Sequence, residues 1–379
     1  MIFDFNPTNI LMTLKDFKTT SARREYLEKT LNIKLNKIAQ IEADEENIHC
    51  ENMIGSTSLP LGVAGPLKIF EKNYYIPLAT TEGALVASVS RGCKAINLSG
   101  GATSYVENVG TTRGPAFETS GLKESMEFKK WLDDNFNLLK DITEKTSSHL
   151  KLKKLGTRIA GRYVYVRFYF DTGEAMGMNM VTIAIDSLSQ FIEKNTKAKC
   201  LAVSGNFCID KKPAWLNFIS GRGKRVWAET ILKKEIVEEV LKTTSEKFFE
   251  VWLSKCMIGS AMSGSLGFNA HFANIVAAFF AATGQDLAHL VEGSMGMTTA
   301  KVLENGDLYV SVYLPAVMVG TVGGGTKIKI KQEALSIIGA KSSIELAEVL
   351  GGAVLAGEIS LLASLAEGSL ARTHEKLGR

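Results

Sequence analysis

Residues 162–170 read RYVYVRFYF. Successive side chains of a strand point to opposite faces. Val164, Val166, Phe168 and Phe170 therefore share one face, and Tyr163, Tyr165, Arg167 and Tyr169 the other. The alternation predicts a strand with one face covered. Asp171-Thr172-Gly173 turns the chain, and EAMGMNMVTIAIDSLSQFIEK (174–194) follows with apolar residues at helical spacing. Met180, Ile183, Ala184, Leu188 and Phe191 are expected to face inward. CLAVS (200–204) supplies another short strand. This strand–helix–strand unit lies between two more helical parts, so the expected fold is α+β.

Working outward, residues 1–50 place Leu11, Leu14, Phe17, Tyr26, Leu27 and Leu31 at helical spacing, a small helical lead-in. Residues 51–66 are rich in Gly, Ser and Pro and predict a loop or short strands. Thr80 and Thr81 are candidate N-caps for a helix beginning near Glu82. That helix would bury Leu85, Val89, Cys93 and Ile96 and turn Ser88 and Arg91 elsewhere. After residue 226 helices dominate, apart from a hairpin expected at ENGD (304–307). VLGGAVLAGEISLLASLA (349–366) is near spanning length, but it carries Glu358 and five glycines or serines. It reads as a packed helix rather than a membrane span.

A net charge of +4 is too small to argue for nucleic acid. The five cysteines, Cys50, Cys93, Cys200, Cys208 and Cys256, form no CxxC pair, which speaks against structural zinc or disulfides. Acids interrupt the apolar run at the N-terminus, unlike a signal peptide. A cytoplasmic protein without metal, nucleic acid or membrane partners is expected.

Several residues invite two readings. Glu82 is either a first-turn acid favoured by the helix dipole or a proton donor held in a cleft. Asp210-Lys211-Lys212-Pro213 is either a solvated loop or a fixed ammonium that meets an oxyanion. His374, near the end of the chain, is a surface residue unless a tail closes over a site. His271 and Asn274 lie one turn apart in a segment of small residues. Asp286 sits at a helix C-terminus, where an acid is unfavourable, and a nearby lysine would compensate it. No GxGxxG follows a strand, so a Rossmann site is not supported. The turn into EAMGMNM could still present backbone N–H groups to a phosphate. The glycine cluster GTVGGGT (320–326) could lie against a ligand.

Seven stretches together resemble the 3-hydroxy-3-methylglutaryl-CoA (HMG-CoA) reductase family, in that family's order. They are ENMIGSTSLPLGVAGPL, TTEGALVASVSRGCKAI, EAMGMNM, SGNFCIDKKPAWLNFISGRGK, GSAMSGSLGFNAHFANIVAAFFAATGQD, GTVGGGT and THEK. Their wording resembles class I, in a soluble microbial form without a membrane domain. The resemblance implies Glu82, Lys211, Asp286 and His374 as catalytic residues. It implies Arg113, Ser204, Asp210, Lys212 and Lys255 around the hydroxymethylglutaryl carboxylate or the lysine. Ser88, Arg91, His271 and Asn274 would lie toward the thioester and CoA. Glu174, Met176, Gly177, Met178, Asn179 and Met180, with Gly320, Thr321, Val322 and Gly323, would hold the nicotinamide cofactor. The implied architecture is a small helical N-terminal domain (1–50), a large domain around a long central helix (51–113 and 214–379), and an inserted ferredoxin-like cofactor domain (114–203). Residues 204–213 would connect them and carry the lysine. A dimer or tetramer with shared active sites is implied.

The implied reaction is the four-electron reduction of HMG-CoA to mevalonate and CoA with two NADPH, in the mevalonate pathway of isoprenoid biosynthesis. Two departures bear on the cofactor. Glu174 replaces the family's aspartate, and Ser147-Ser148-His149, with Lys151 beyond, replaces a serine–arginine pair that holds the NADP 2′-phosphate. NADH therefore stays open, as does the oxidative direction. A CoA transferase using Glu82 or Cys93 as nucleophile, or a non-catalytic CoA-binding protein, are the readings from other classes.

Overall fold

The computed structural model describes residues 17–34, 36 and 50–368. A helix spans Thr20–Leu31; Leu11, Leu14 and His374 lie outside the described residues. Two strands, β1 (Leu61–Ile69) and β2 (Lys72–Ala79), pair antiparallel. A nine-stranded mixed sheet takes the rest: β3 (Thr103–Arg113), β4 (Ala116–Glu118), β5 (Lys151–Ala160), β6 (Tyr163–Asp171), β7 (Lys199–Ala202), β8 (Gly223–Leu232), β9 (Gly267–Phe268), β10 (Gly296–Val302) and β11 (Leu308–Val317). The order is β7-β4-β6-β3-β8-β11-β10-β9, with β5 against β6.

β3 changes partner along its length. Thr103 to Gly110 pair with β8, and Thr111 to Arg113 pair with β6. One strand thus joins two hydrophobic cores. The first gathers Val226, Val310, Val312, Phe279 and Phe280 around the helix Ser343–Glu367. The second packs Phe117, Phe128, Val164, Val166, Phe168 and Phe170 under the helix Met178–Asn195.

The helix Ser343–Glu367 is long and apolar enough to cross a membrane, yet 83% of its apolar window is buried in protein. Gly92 shows how tightly it is held. A Cβ there would stand 1.9 Å from the Ala356 carbonyl oxygen, so the helix Leu85–Leu98 meets it backbone to backbone.

Three local expectations need correction. The helix after Glu82 starts at Leu85, and the Thr80 hydroxyl accepts from the Glu82 N–H instead of capping it. Leu85, Val89, Cys93 and Ile96 are nevertheless all buried. In the helix Met178–Asn195 the inward face is Val181, Ala184, Ile185, Leu188 and Ile192, while Ile183 is exposed. Apolar residues run almost all round that helix start, so spacing alone could not choose the face. β6 is covered on both sides. The Arg167 guanidinium is buried and donates to the Asn217 side chain (2.7 Å) and the Gly221 carbonyl (3.0 Å), because the segment after β7 folds over it. The ENGD hairpin forms as expected, pairing Val302 with Leu308.

Candidate active site

Lys211 lies in the loop between β7 and the short helix Trp215–Ser220. Its φ of +58° is left-handed, a conformation that a side-chain-bearing residue rarely adopts. The backbone is bent to aim the ammonium, and Nζ stands 2.8 Å from Asp286 Oδ2. Asp286 follows the helix Phe272–Thr283, and its other oxygen accepts from the Ala288 N–H at 3.0 Å. Partial burial pushes the Asp286 carboxyl up, but bonds from Lys211 and Ala288 and the nearby His289 outweigh this and hold it below its ordinary range. The lysine is the compensating cation that the acid's position called for.

Behind this pair is a buried network. Arg222, His289 and Glu292 are fully buried. The Arg222 guanidinium donates to Asp210 Oδ1 at 3.0 Å and closely to Glu292 Oε1. Arg113 reaches the other Asp210 oxygen at 3.4 Å. His289 Nδ1 stands 2.7 Å from Glu292 Oε1, and the Lys211 N–H reaches the same oxygen at 3.4 Å. Asp210, His289 and Glu292 have atoms within 4.8 Å of one another, a spacing that would suit a cation. Arg222 already supplies that positive charge. Asp210 thus fixes the lysine loop through two arginines.

A cavity of about 750 Å³ opens beside the loop, lined by Pro213, Lys255, His271 and Asn274 among others. Asn274 Nδ2 donates to Glu82 Oε1 at 3.1 Å, so Glu82 reaches the cavity edge through Asn274 and makes no bond to Lys211. The buried Glu358 carboxylate pins the chain here, accepting from the N–H groups of Ala270 (2.8 Å) and His271 (2.7 Å) and from the Thr298 hydroxyl (2.6 Å). Ser88 and Arg91, expected to face substrate, turn inward instead. Ser88 Oγ lies 2.9 Å and Arg91 Nε 3.0 Å from Ser360 Oγ on the Ser343–Glu367 helix. Burial lowers the Arg91 pKa, and Glu367 opposes the shift. Ser204 Oγ pairs with Cys208 Sγ at 3.5 Å, and Lys212 Nζ donates to the Asp210 carbonyl at 3.3 Å.

The residues expected at the cofactor converge on the other side of the loop. The Thr321 N–H donates to the Glu174 carbonyl at 2.8 Å, and Ala175 bridges to Val322. A Cβ on Gly320 would stand 2.5 Å from the Met176 nitrogen, so only glycine permits this approach. Gln285, beside Asp286, exchanges two 3.0 Å bonds with the Gly320 backbone. Met178 Sδ receives Arg222 Nη2 at 3.0 Å, and Met180 Sδ faces Ser147 Oγ at 3.8 Å. Gly177 caps the 18-residue helix without a side chain, which leaves its first N–H groups free for a phosphate. Asn179 and Val322 are exposed and Gly323 has open space around it, so these residues are accessible to a ligand. Glu174 is less available: its carboxylate is already engaged by the Ser343 N–H at the start of the long helix.

Lys224, buried beneath this region, donates to the Val319 carbonyl at 3.2 Å, and burial pushes its pKa down to about 8 despite Glu174 and Asp171. The unfolded chain therefore binds more protons than the folded one between about pH 8 and the ordinary 10.5. Stability should rise with pH across that window, by at most about 1.4 kcal/mol per unit. Lys224→Met is expected to flatten the rise, read from urea midpoints at successive pH values. An unchanged slope would rule the effect out.

The family model for hydroxymethylglutaryl-coenzyme A reductase matches residues 19–379. The chain belongs to the hydroxymethylglutaryl-coenzyme A reductase family. It is 49% identical over 368 residues to the 3-hydroxy-3-methylglutaryl-coenzyme A reductase of Methanothermobacter thermautotrophicus, covering 94% of this chain and 92% of that one. It is also 49% identical over 376 residues to the enzyme of that name from Methanocaldococcus jannaschii, covering 95% and 93%. Its fold is similar to that of the class II HMG-CoA reductase from Streptococcus pneumoniae, solved bound to NADPH. The TM-score is 0.72 at 20% identity, covering 92% of this chain and 97% of that one. This likeness overturns the class I form expected from the motif wording; the fold is class II-like, and the family assignment stands.

In the reductase fold seen here, Lys211 and Asp286 come together, Glu82 and Asn274 come together, and Ser88 and Arg91 stand apart. Reasoning from sequence gave no role to Arg222, His289 or Glu292. The available signal was His289-x-x-Glu292, three residues apart and just after the acid.

Proposed function

We propose that this protein reduces HMG-CoA to mevalonate and CoA, consuming two NADPH, as a step in isoprenoid biosynthesis. The observation that carries the reading is an ammonium, Lys211, held 2.8 Å from Asp286 and two residues from a cavity wall at Pro213. NADPH, when bound, supplies the hydride. As the thioester carbonyl becomes tetrahedral, negative charge gathers on its oxygen, and Lys211 meets it. Asp286 holds the ammonium in place. A free thiol has a pKa of about 8.5, so the departing CoA thiolate gains from a proton donor. His374, outside the described residues, is assigned that role. Glu82, oriented by Asn274, protonates the oxygen in the second reduction.

Arg113, Ser204, Asp210, Lys212 and Lys255 are assigned to the hydroxymethylglutaryl end, and His271 and Asn274 to the CoA end. The cofactor is assigned to residues 176–180 and 320–323. The same reading takes residues 1–50 as a helical domain, 114–203 as an inserted ferredoxin-like domain, and 51–113 with 214–379 as the large domain. It takes the working unit as a cytoplasmic dimer or tetramer whose subunits share active sites. A transferase with Cys93 as nucleophile is disfavoured: that thiol is fully buried, and burial pushes it up to about 12.

The test is absorbance at the nicotinamide band with HMG-CoA, using NADPH and NADH side by side. Consumption of NADPH, faster than NADH, is expected. No consumption of either removes the function; equal or faster NADH consumption removes NADPH as the natural cofactor.

A further inference from the structure

His289 has no place in the mechanism above, yet its surroundings are specific. Glu292 Oε1 accepts from Arg222, and an ionised carboxylate only accepts. The imidazole nitrogen 2.7 Å from that oxygen, Nδ1, must then carry a hydrogen. Nε2 is left facing Asp286 Oδ2 at 3.6 Å and has no hydrogen-bond partner, although the ring is fully buried. That same Oδ2 receives Lys211 Nζ. The ring is buried while Asp286 is part-exposed, and two lone pairs facing each other across that edge repel; one proton between them turns repulsion into attraction.

The remaining charges around the ring balance. Arg113, Arg222 and Lys211 stand against Asp210, Asp286 and Glu292. Asp210 Oδ1 is 3.7 Å and Arg222 Nη1 3.3 Å from Nδ1. The network therefore has room for one added proton exactly when an oxyanion adds one negative charge at Lys211.

We propose that His289 is a positioning residue that shares a proton with Asp286 along Nε2···Oδ2 and returns it to Lys211. The inference rests on the reductase reading for its kinetic part only. When Lys211 gives a proton to the alkoxide, Asp286 Oδ2 passes one to Nζ and takes one from His289 Nε2. The alkoxide becomes a hydroxyl, Lys211 regains its charge, and the ring becomes neutral. Glu292 and Arg222 hold the ring in register throughout.

Two measurements test this. In His289→Gln, which cannot store the proton, kcat should fall about a hundredfold. KM for HMG-CoA should hold, and the pH dependence of kcat between about pH 5 and 8 should change shape. An unchanged kcat, or a loss with a wild-type pH profile, overturns the proposal. Independently of turnover, ¹⁵N spectra of histidine-labelled protein should show the His289 Nε2 resonance, identified by its absence in His289→Gln, displaced in Asp286→Asn. A resonance that stays put means no shared proton. If the wild type consumes no NADPH, the function reading fails and the spectra still decide the pair.

Discussion

Lys211→Ala is expected to lower kcat with HMG-CoA and NADPH by about a hundred- to a thousandfold, or about 3–4 kcal/mol of transition-state stabilisation. Among the described residues, Lys211 is the only lysine or arginine that forms an ion pair with Asp286. In the proposed mechanism its loss removes the charge that meets the developing oxyanion and leaves Asp286, itself negative, nearest to it. The fold should survive, since Lys211 is exposed and the loop is held by Asp210 and its two arginines. Its left-handed backbone allows a second variant. Lys211→Gly relaxes the φ of +58° while deleting the same charge, so it should be at least as stable and equally inactive. Stopped-flow hydride transfer and thermal melting, read together, check both. Either variant turning over within a few-fold of wild type would mean that the ammonium does not meet the reacting oxygen.

Glu292→Ala should have the largest effect on stability. It leaves the buried Arg222 with Asp210 as its remaining acid and removes the acceptor from His289 Nδ1. Breaking a buried ion pair from one side costs about 3–5 kcal/mol, because an uncompensated charge stays in the interior. Denaturant unfolding should show this as a lower midpoint with an unchanged slope. Replacing both partners, Arg222→Met with Glu292→Leu, should recover much of the stability, since neither charge is then buried alone. Recovery of stability without recovery of turnover would separate the network's structural role from its service to Lys211. A Glu292→Ala midpoint equal to wild type would show that water or Asp210 alone satisfies Arg222.

Much of this was legible in the sequence. The period-two pattern of β6 named one of its two covered faces, and ENGD named its hairpin. The misplaced acid at Asp286 called for a cation, and Lys211 stands beside it. What escaped was contact between residues far apart in the chain. Nothing in the pattern of residues 162–170 says that the segment around Asn217 will cover Arg167. Ser88 and Arg91 share a helix face, but which neighbour that face meets is set by Ser360, some 270 positions later. Thr80 competed for a local turn and took the Glu82 N–H, which moved the helix start. Burial of Arg222 and Glu292 depends on pairing across 70 residues, and local spacing carries no trace of it.

The strand that changes partner at Gly110 has a practical consequence for anyone dissecting the molecule. Excising residues 114–203 would take β6 away from the Thr111–Arg113 end of β3. Phe168, Tyr169 and Phe170 would then present an open, greasy border with unpaired amides, a template for recruiting other chains. The excised fragment should form oligomers or precipitate, and grafting this unit onto another scaffold calls for three borrowed residues of strand along that border.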